Sequence, residues 1–325
     1  MLLGSSLHSE YSFREDRRFN EHFLVGQISL RDVELLQTGS LKQILPGPRY
    51  IHSLFHLDHP SATVVIRTER SASAPIQYDY RKPSVAIDPF FKDPQTFRRL
   101  QTIRLLLSTN YEHADAMLCD LVSASDVHTT FLALGTIFRH LRHDPLEKLF
   151  ELSRTAPRLR ACLESARASH GETIELFEQV FDEEERQLKL IDSRRTINDP
   201  GLRFFLALLL NLPNSSEMFR LVRQCFPGRE PVETVLDWVE QLGRTRSFGS
   251  GEPNLLNVQE FDDNLVLSLE DLLKGVLPNG TMAQSPVNTT PPLMNERLRV
   301  TLESSAILRS LVPNKKWTRG LNHVH

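Results

Sequence analysis

After residue 93, apolar residues recur at three- and four-residue intervals through most of the chain, the spacing that lines one face of a helix. Four of these patterns open on the same device, an acid followed by proline: Asp93-Pro94, Asp144-Pro145, Asp199-Pro200 and Glu230-Pro231. The acid accepts a hydrogen bond from an otherwise unpaired N–H of the first turn. Proline suits the first helical position because its missing N–H would have no partner there. The device predicts helices at 94–108, 145–153, 200–212 and 231–242, with Gly243 as a left-handed cap. Periodicity alone adds 113–122, 126–142, 157–168, 172–193, 215–225, 264–274 and 295–311. The stretch Leu202 to Leu212 is apolar on almost every side, which predicts a central helix buried all round. Trp238 falls on the apolar face of its helix and reads as a core anchor.

Before residue 93 the pattern changes. Thr63-Val64-Val65-Ile66-Arg67-Thr68 is β-branched and reads as a strand, with Tyr50–Leu57 and Ser84–Ile87 as partners across an Asp58-His59-Pro60-Ser61 turn. Ser29-Leu30-Arg31-Asp32 resembles a helix capping box, with Gly39 placed to stop that helix. The expected fold is mainly α: a small α+β head at 1–90 containing a short hairpin or small sheet, and a helical body at 91–243. In 244–325, linkers near 247–254 and 278–292 carry two C-terminal helices that pack on the body.

Composition narrows the classes. The chain of 325 residues carries 38 Lys and Arg against 41 Asp and Glu, a net charge of −3, which argues against sequence-independent nucleic-acid binding. The longest apolar run is far short of the roughly 20 residues a membrane helix needs, and the polar N-terminus lacks the apolar core of a signal peptide. A cytoplasmic location is expected. Cys119, Cys162 and Cys225 are scattered, form no CxxC pair and read as reduced, buried thiols.

Candidate chemistry concentrates in Tyr50–Pro60, where His52, His56, His59 and Asp58 lie within eight residues. His52 and His56 share a face in a strand or a helix alike. Two such imidazoles with a carboxylate would suit a divalent metal, or act as an acid/base pair without one. Histidines that bond only backbone, water or solvent are the simpler alternative. Glu184 is the second candidate, because it falls in the stripe Ile174, Phe177, Phe181, Leu188, Ile191 and would need an ion-pair partner or face a pocket. His128 opens a helix and reads as a surface residue of its first turn. The basic tail Lys315-Lys316-Trp317-Thr318-Arg319 reads as a solvated end. The motifs GxxxxGK[ST], GxGxxG, HExxH, GxSxG and ExxH are all missing.

Two functions follow: a helical binding protein for a protein or small-molecule partner, or an enzyme, with or without a metal, whose site between head and body is built from His52 and His56, with or without His59, and an acid such as Glu184 or Asp58.

Overall fold

Residues 6–36, which carry no strong strand signal, form the two longest strands among the described residues. β1 (Ser6–Asn20) and β2 (Phe23–Leu36) pair as an antiparallel hairpin. β3 (Ile51–His56) adds to the first half of β1, while β5 (Val85–Ile87) adds to the start of β2 and β4 (Asp79–Arg81) to β5. The sheet order is β3-β1-β2-β5-β4, all antiparallel. The structure is a computed structural model describing residues 1–45, 47, 50–66, 74–109, 111–143, 152–213, 215–245, 254–276, 298, 300–302 and 305–312.

Ser29–Asp32 is therefore strand and not a helix start. Tyr11 pairs with Leu30 and Glu10 with Asp32, so Arg31 is an extra residue, a β-bulge. The bulge lets Leu30 and Val33, three apart, both pack on the same hydrophobic core, a spacing that mimics a helix. Gly26 sits where the hairpin is tightest: a Cβ there would stand 2.0 Å from the Arg14 carbonyl oxygen, so only glycine admits this approach. The expected strand at 63–68 does not form over residues 63–66. Ala62 makes an isolated bridge with Leu3, and Val64, Val65 and Ile66 are exposed.

The helices follow the sequence pattern closely. They are α1 (Pro94–Ser108), α2 (Ala114–Ser123), α3 (Val127–His143), α4 (Leu152–His170) and α5 (Thr173–Thr196). After them come α6 (Pro200–Asn211), α7 (Ser215–Cys225), α8 (Pro231–Arg244), α9 (Asp263–Val276) and α10 (Ala306–Leu311). A mainly α fold thus describes the chain after residue 93, while the named elements before it are all strands, so the chain joins an N-terminal five-stranded antiparallel sheet to a helical body. Residues 152 to 170 form one helix, and 145–151 lie outside the described residues. Gly243 is not a left-handed cap but lies inside α8, against the Phe261 ring. The last expected helix, 295–311, is broken at Ser305, whose extended backbone and side chain cap α10. The linker at 278–292 and the basic tail lie outside the described residues.

Three of the acid–proline starts fall within the described residues, and each caps as expected. Asp93 accepts from Thr96 N at 2.7 Å, Asp199 from Leu202 N at 2.8 Å, and Glu230 from Val232 N at 2.7 Å. We expect Asp199→Ala to lower stability by about 1 kcal/mol, read as a shift in the urea midpoint. An unchanged midpoint would remove the cap from the account of α6.

Among the described residues two hydrophobic cores form, and each draws on sheet and helices. One joins Phe23, Val25, Val85 and Ile87 to α1–α4 and the first half of α5. The other joins Leu7, Val33 and Leu57 to Leu190 of α5 and to α6–α10, with Phe205 and Trp238 inside it. Trp238 packs on Phe204, Phe205 and Phe226, as a core anchor should. α5 spans both cores, and its acids 182–185 fall between Phe181 of one and Leu190 of the other. No helix among the described residues is long and apolar enough to cross a membrane.

Candidate functional site

The alternation of β3 separates its side chains into two sets. Ser53 and Phe55 face the body: Ser53 Oγ donates to Asn211 Oδ1 at 3.0 Å, and the Arg194 guanidinium lies 4.1 Å over the Phe55 ring. His52 and His56 point the other way. The His52 ring packs beside His8 and Tyr50, with centroids 5.3 Å from each, and His56 Nδ1 bonds Ser6 Oγ at 2.8 Å. Asp58 accepts from the Ser5 hydroxyl at 2.6 Å, and His59 is exposed. The structure thus does not bring His52, His56, His59 and Asp58 together on one centre. Glu184 is paired with Arg81 Nη1 at 2.9 Å and shares with His52 only the lining of a cleft.

The body-facing side opens into a cleft of about 420 Å³ between the sheet and α5–α6. β3 and the segment 77–82 form one side, with His52 at the rim, and Glu183, Glu184, Gln187 and Asn211 the other. Along its lining a polar chain runs from the sheet to α6. Lys82 Nζ donates to the Tyr11 hydroxyl at 2.9 Å and lies 4.4 Å over the Tyr11 ring; the hydroxyl lies 3.5 Å from both Ser53 Oγ and the Asn211 carbonyl. Asn211 is fixed in turn by its amide donating to the Ala207 carbonyl at 2.8 Å.

The acids lining this cleft are already engaged. Burial works against ionisation of Glu183, but the Arg186 guanidinium bonds both its oxygens at 2.7 Å and, with Gln187, holds it below the usual carboxylate range. Arg81 pairs with both Asp79 and Glu184. Burial pushes Tyr80 up to about 12, so it stays a neutral phenol. Lys82 differs: its charge helps keep Glu183 ionised, but among the described residues no carboxylate stands within ion-pair distance of it, and its ammonium donates to the Tyr11 phenol.

A second cluster lies on the outer face of the sheet, where sequence reading placed no site. Among the described residues, one set of three or more His, Cys, Asp or Glu side chains converges: His8, Glu10 and Glu34, with one ligand atom of each within 4.8 Å of the others. His8 and Glu34 are cross-strand partners, and Glu10 shares their face two residues along β1. The Lys42 ammonium pairs with both carboxylates, and the Tyr50 hydroxyl donates to Glu10 at 2.8 Å. No motif could have announced this cluster, because its members come from two strands and are joined only by register.

Comparison with protein-family models, with curated proteins and with solved structures gave no match.

Proposed function

We propose that this chain is a binding protein whose cleft between the head and α5–α6 takes a small molecule bearing an anionic group. The observation behind this reading is Lys82: a half-buried ammonium in a cleft whose acids are taken by Arg81 and Arg186. A cation so placed meets an incoming carboxylate or phosphate without first breaking an ion pair. The Tyr11 hydroxyl, Ser53 and Asn211 supply neutral hydrogen-bonding groups beside it. The cleft volume, about 420 Å³, suits a small ligand. Placement also favours binding over the histidine-based chemistry, since His56 faces away from Glu184 and His52 reaches the cleft only at its rim.

The test is a thermal-shift and calorimetric screen with small carboxylates and inorganic phosphate, run on the full chain and on Lys82→Met. We expect a saturable anion whose affinity falls by about 1.5–3 kcal/mol in Lys82→Met, roughly 10- to 150-fold. Anions that bind the variant as well as the native chain, or no saturable anion at all, would rule the reading out.

A further inference from the structure

We propose that His8, Glu10 and Glu34 on the outer face of the sheet form a binding site for a divalent transition-metal cation of the zinc class. Cross-strand register sets the geometry: His8 stands opposite Glu34 on β2, and Glu10 follows on the same face of β1. The three ligand atoms already lie within 4.8 Å of one another, so a single ion can be shared with side-chain adjustment alone.

Two carboxylates would not carry this by themselves. The independent observation is His8. Its side chain is 3% exposed, yet neither ring nitrogen makes a hydrogen bond. Nδ1 lies 3.3 Å from Glu34 Oε1 without the alignment of a hydrogen bond. A buried imidazole with two unsatisfied nitrogens is an uncommon and costly arrangement, and it is relieved when a lone pair meets a cation.

Lys42 shows that this place suits a cation. Its ammonium pairs with both Glu10 and Glu34, so the carboxylates are already arranged around one positive charge. A lysine on a long, flexible stem is a tethered competitor that can swing outward when a stronger cation arrives. The Tyr50 hydroxyl bonds Glu10, the kind of outer contact that orients a ligating carboxylate. His52, the cross-strand partner of Glu10, carries its ring 5.3 Å from that of His8 and stands next in line as a further nitrogen ligand. One or two imidazoles with two carboxylates favour zinc and its neighbours over the all-oxygen shells of calcium or magnesium.

His8, Glu10 and Glu34 lie on the opposite face of the sheet from Lys82, and although Tyr50 and His52 border both places, the metal titration reads this site apart from anion binding in the cleft. The experiment is titration of chelator-treated full-length protein with Zn²⁺ by calorimetry and with Co²⁺ by visible absorption. We expect one ion per chain and cobalt d–d bands of a low-coordinate nitrogen–oxygen site. Glu34→Gln, a conservative change at a partly exposed position, should weaken binding by more than about tenfold. Lys42→Met should tighten it by removing the competitor. If neither the native chain nor Lys42→Met takes up stoichiometric metal, the cluster is a lysine-centred ion pair and the proposal fails. Unchanged affinity in Glu34→Gln, or weaker binding in Lys42→Met, also overturns it.

Discussion

Phe205→Ala is expected to destabilise the protein by about 3–5 kcal/mol, the largest loss we anticipate from a single side chain. Phe205 is fully buried in α6, and its ring lies 5.4 Å from that of Trp238. Its neighbours come from helices that cannot all move inward, because α6 is fixed at its start by Asp199 and at its end by Asn211. Truncation therefore leaves a cavity as well as removing buried area. For a chain held by roughly 5–15 kcal/mol this is a large share of the total. Urea unfolding gives the measurement, with Phe97→Ala as the control, since Phe97 is 59% exposed on α1 and should stay within about 0.5 kcal/mol. Equal losses in the two variants would show that α6 is not the centre of its core.

His128 should make stability fall steeply between pH 6.5 and 4. Sequence reading places it on the surface of a first helical turn, but it is 2% exposed, with its ring against Phe23 and Phe91. Burial pushes its pKa from 6.5 down to about 4, against the opposing pull of Asp126 and Asp88 and with some help from His22. The unfolded chain takes up the proton near 6.5 and the folded chain only near 4. The stabilisation is thus complete above pH 6.5, declines as pH falls through that interval, and is gone below it. The interval is worth about 3 kcal/mol at most. In His128→Leu the decline over this window should largely vanish. The leucine should be tolerated because Nε2 of His128 has no hydrogen-bond partner to lose. A variant with the same slope as the native chain would place the titration in other groups.

The misplacement of His128 and the absence of His8 from the expected site have one cause. A helix start is legible because cap, proline and apolar spacing act within a few residues of one another, as Asp93, Asp199 and Glu230 do. Whether the first turn then faces solvent depends on what packs over it, and Phe23 and Phe91 come from distant parts of the chain. The long hairpin was hidden for a related reason. Its buried positions include Ser6, His8 and Ser9, so β1 lacks a clean apolar alternation. The bulge at Arg31 breaks the alternation in β2 as well. The ladder that makes these residues strands is non-local and leaves little trace in either strand alone.

The candidate site was legible in parts. Glu184 was recognised as an acid interrupting an apolar stripe. The structure gives the reason: α5 passes from one core to the other there, and Arg81 supplies the ion pair. Lys82 and Tyr11 carried no signal, because each is ordinary until the fold places an ammonium over a phenol ring. Cys119 and Cys162, unrelated in sequence, meet with their sulfurs 3.8 Å apart for the same reason.

What the sequence by itself determined is the helical body after residue 93, its best-marked starts and its most buried helix. Those depend on interactions within a turn or two of the chain, which composition and spacing encode directly. The strands at Ile51–His56 and Val85–Ile87 were also legible as β-rich segments, but tertiary structure alone decided the long β1–β2 hairpin, the sheet order, the faces on which the histidines fall, and the meeting of His8, Glu10 and Glu34. Strand register, bulges and the crossing of α5 between two cores bring together residues far apart in the chain, and no local pattern records such a meeting.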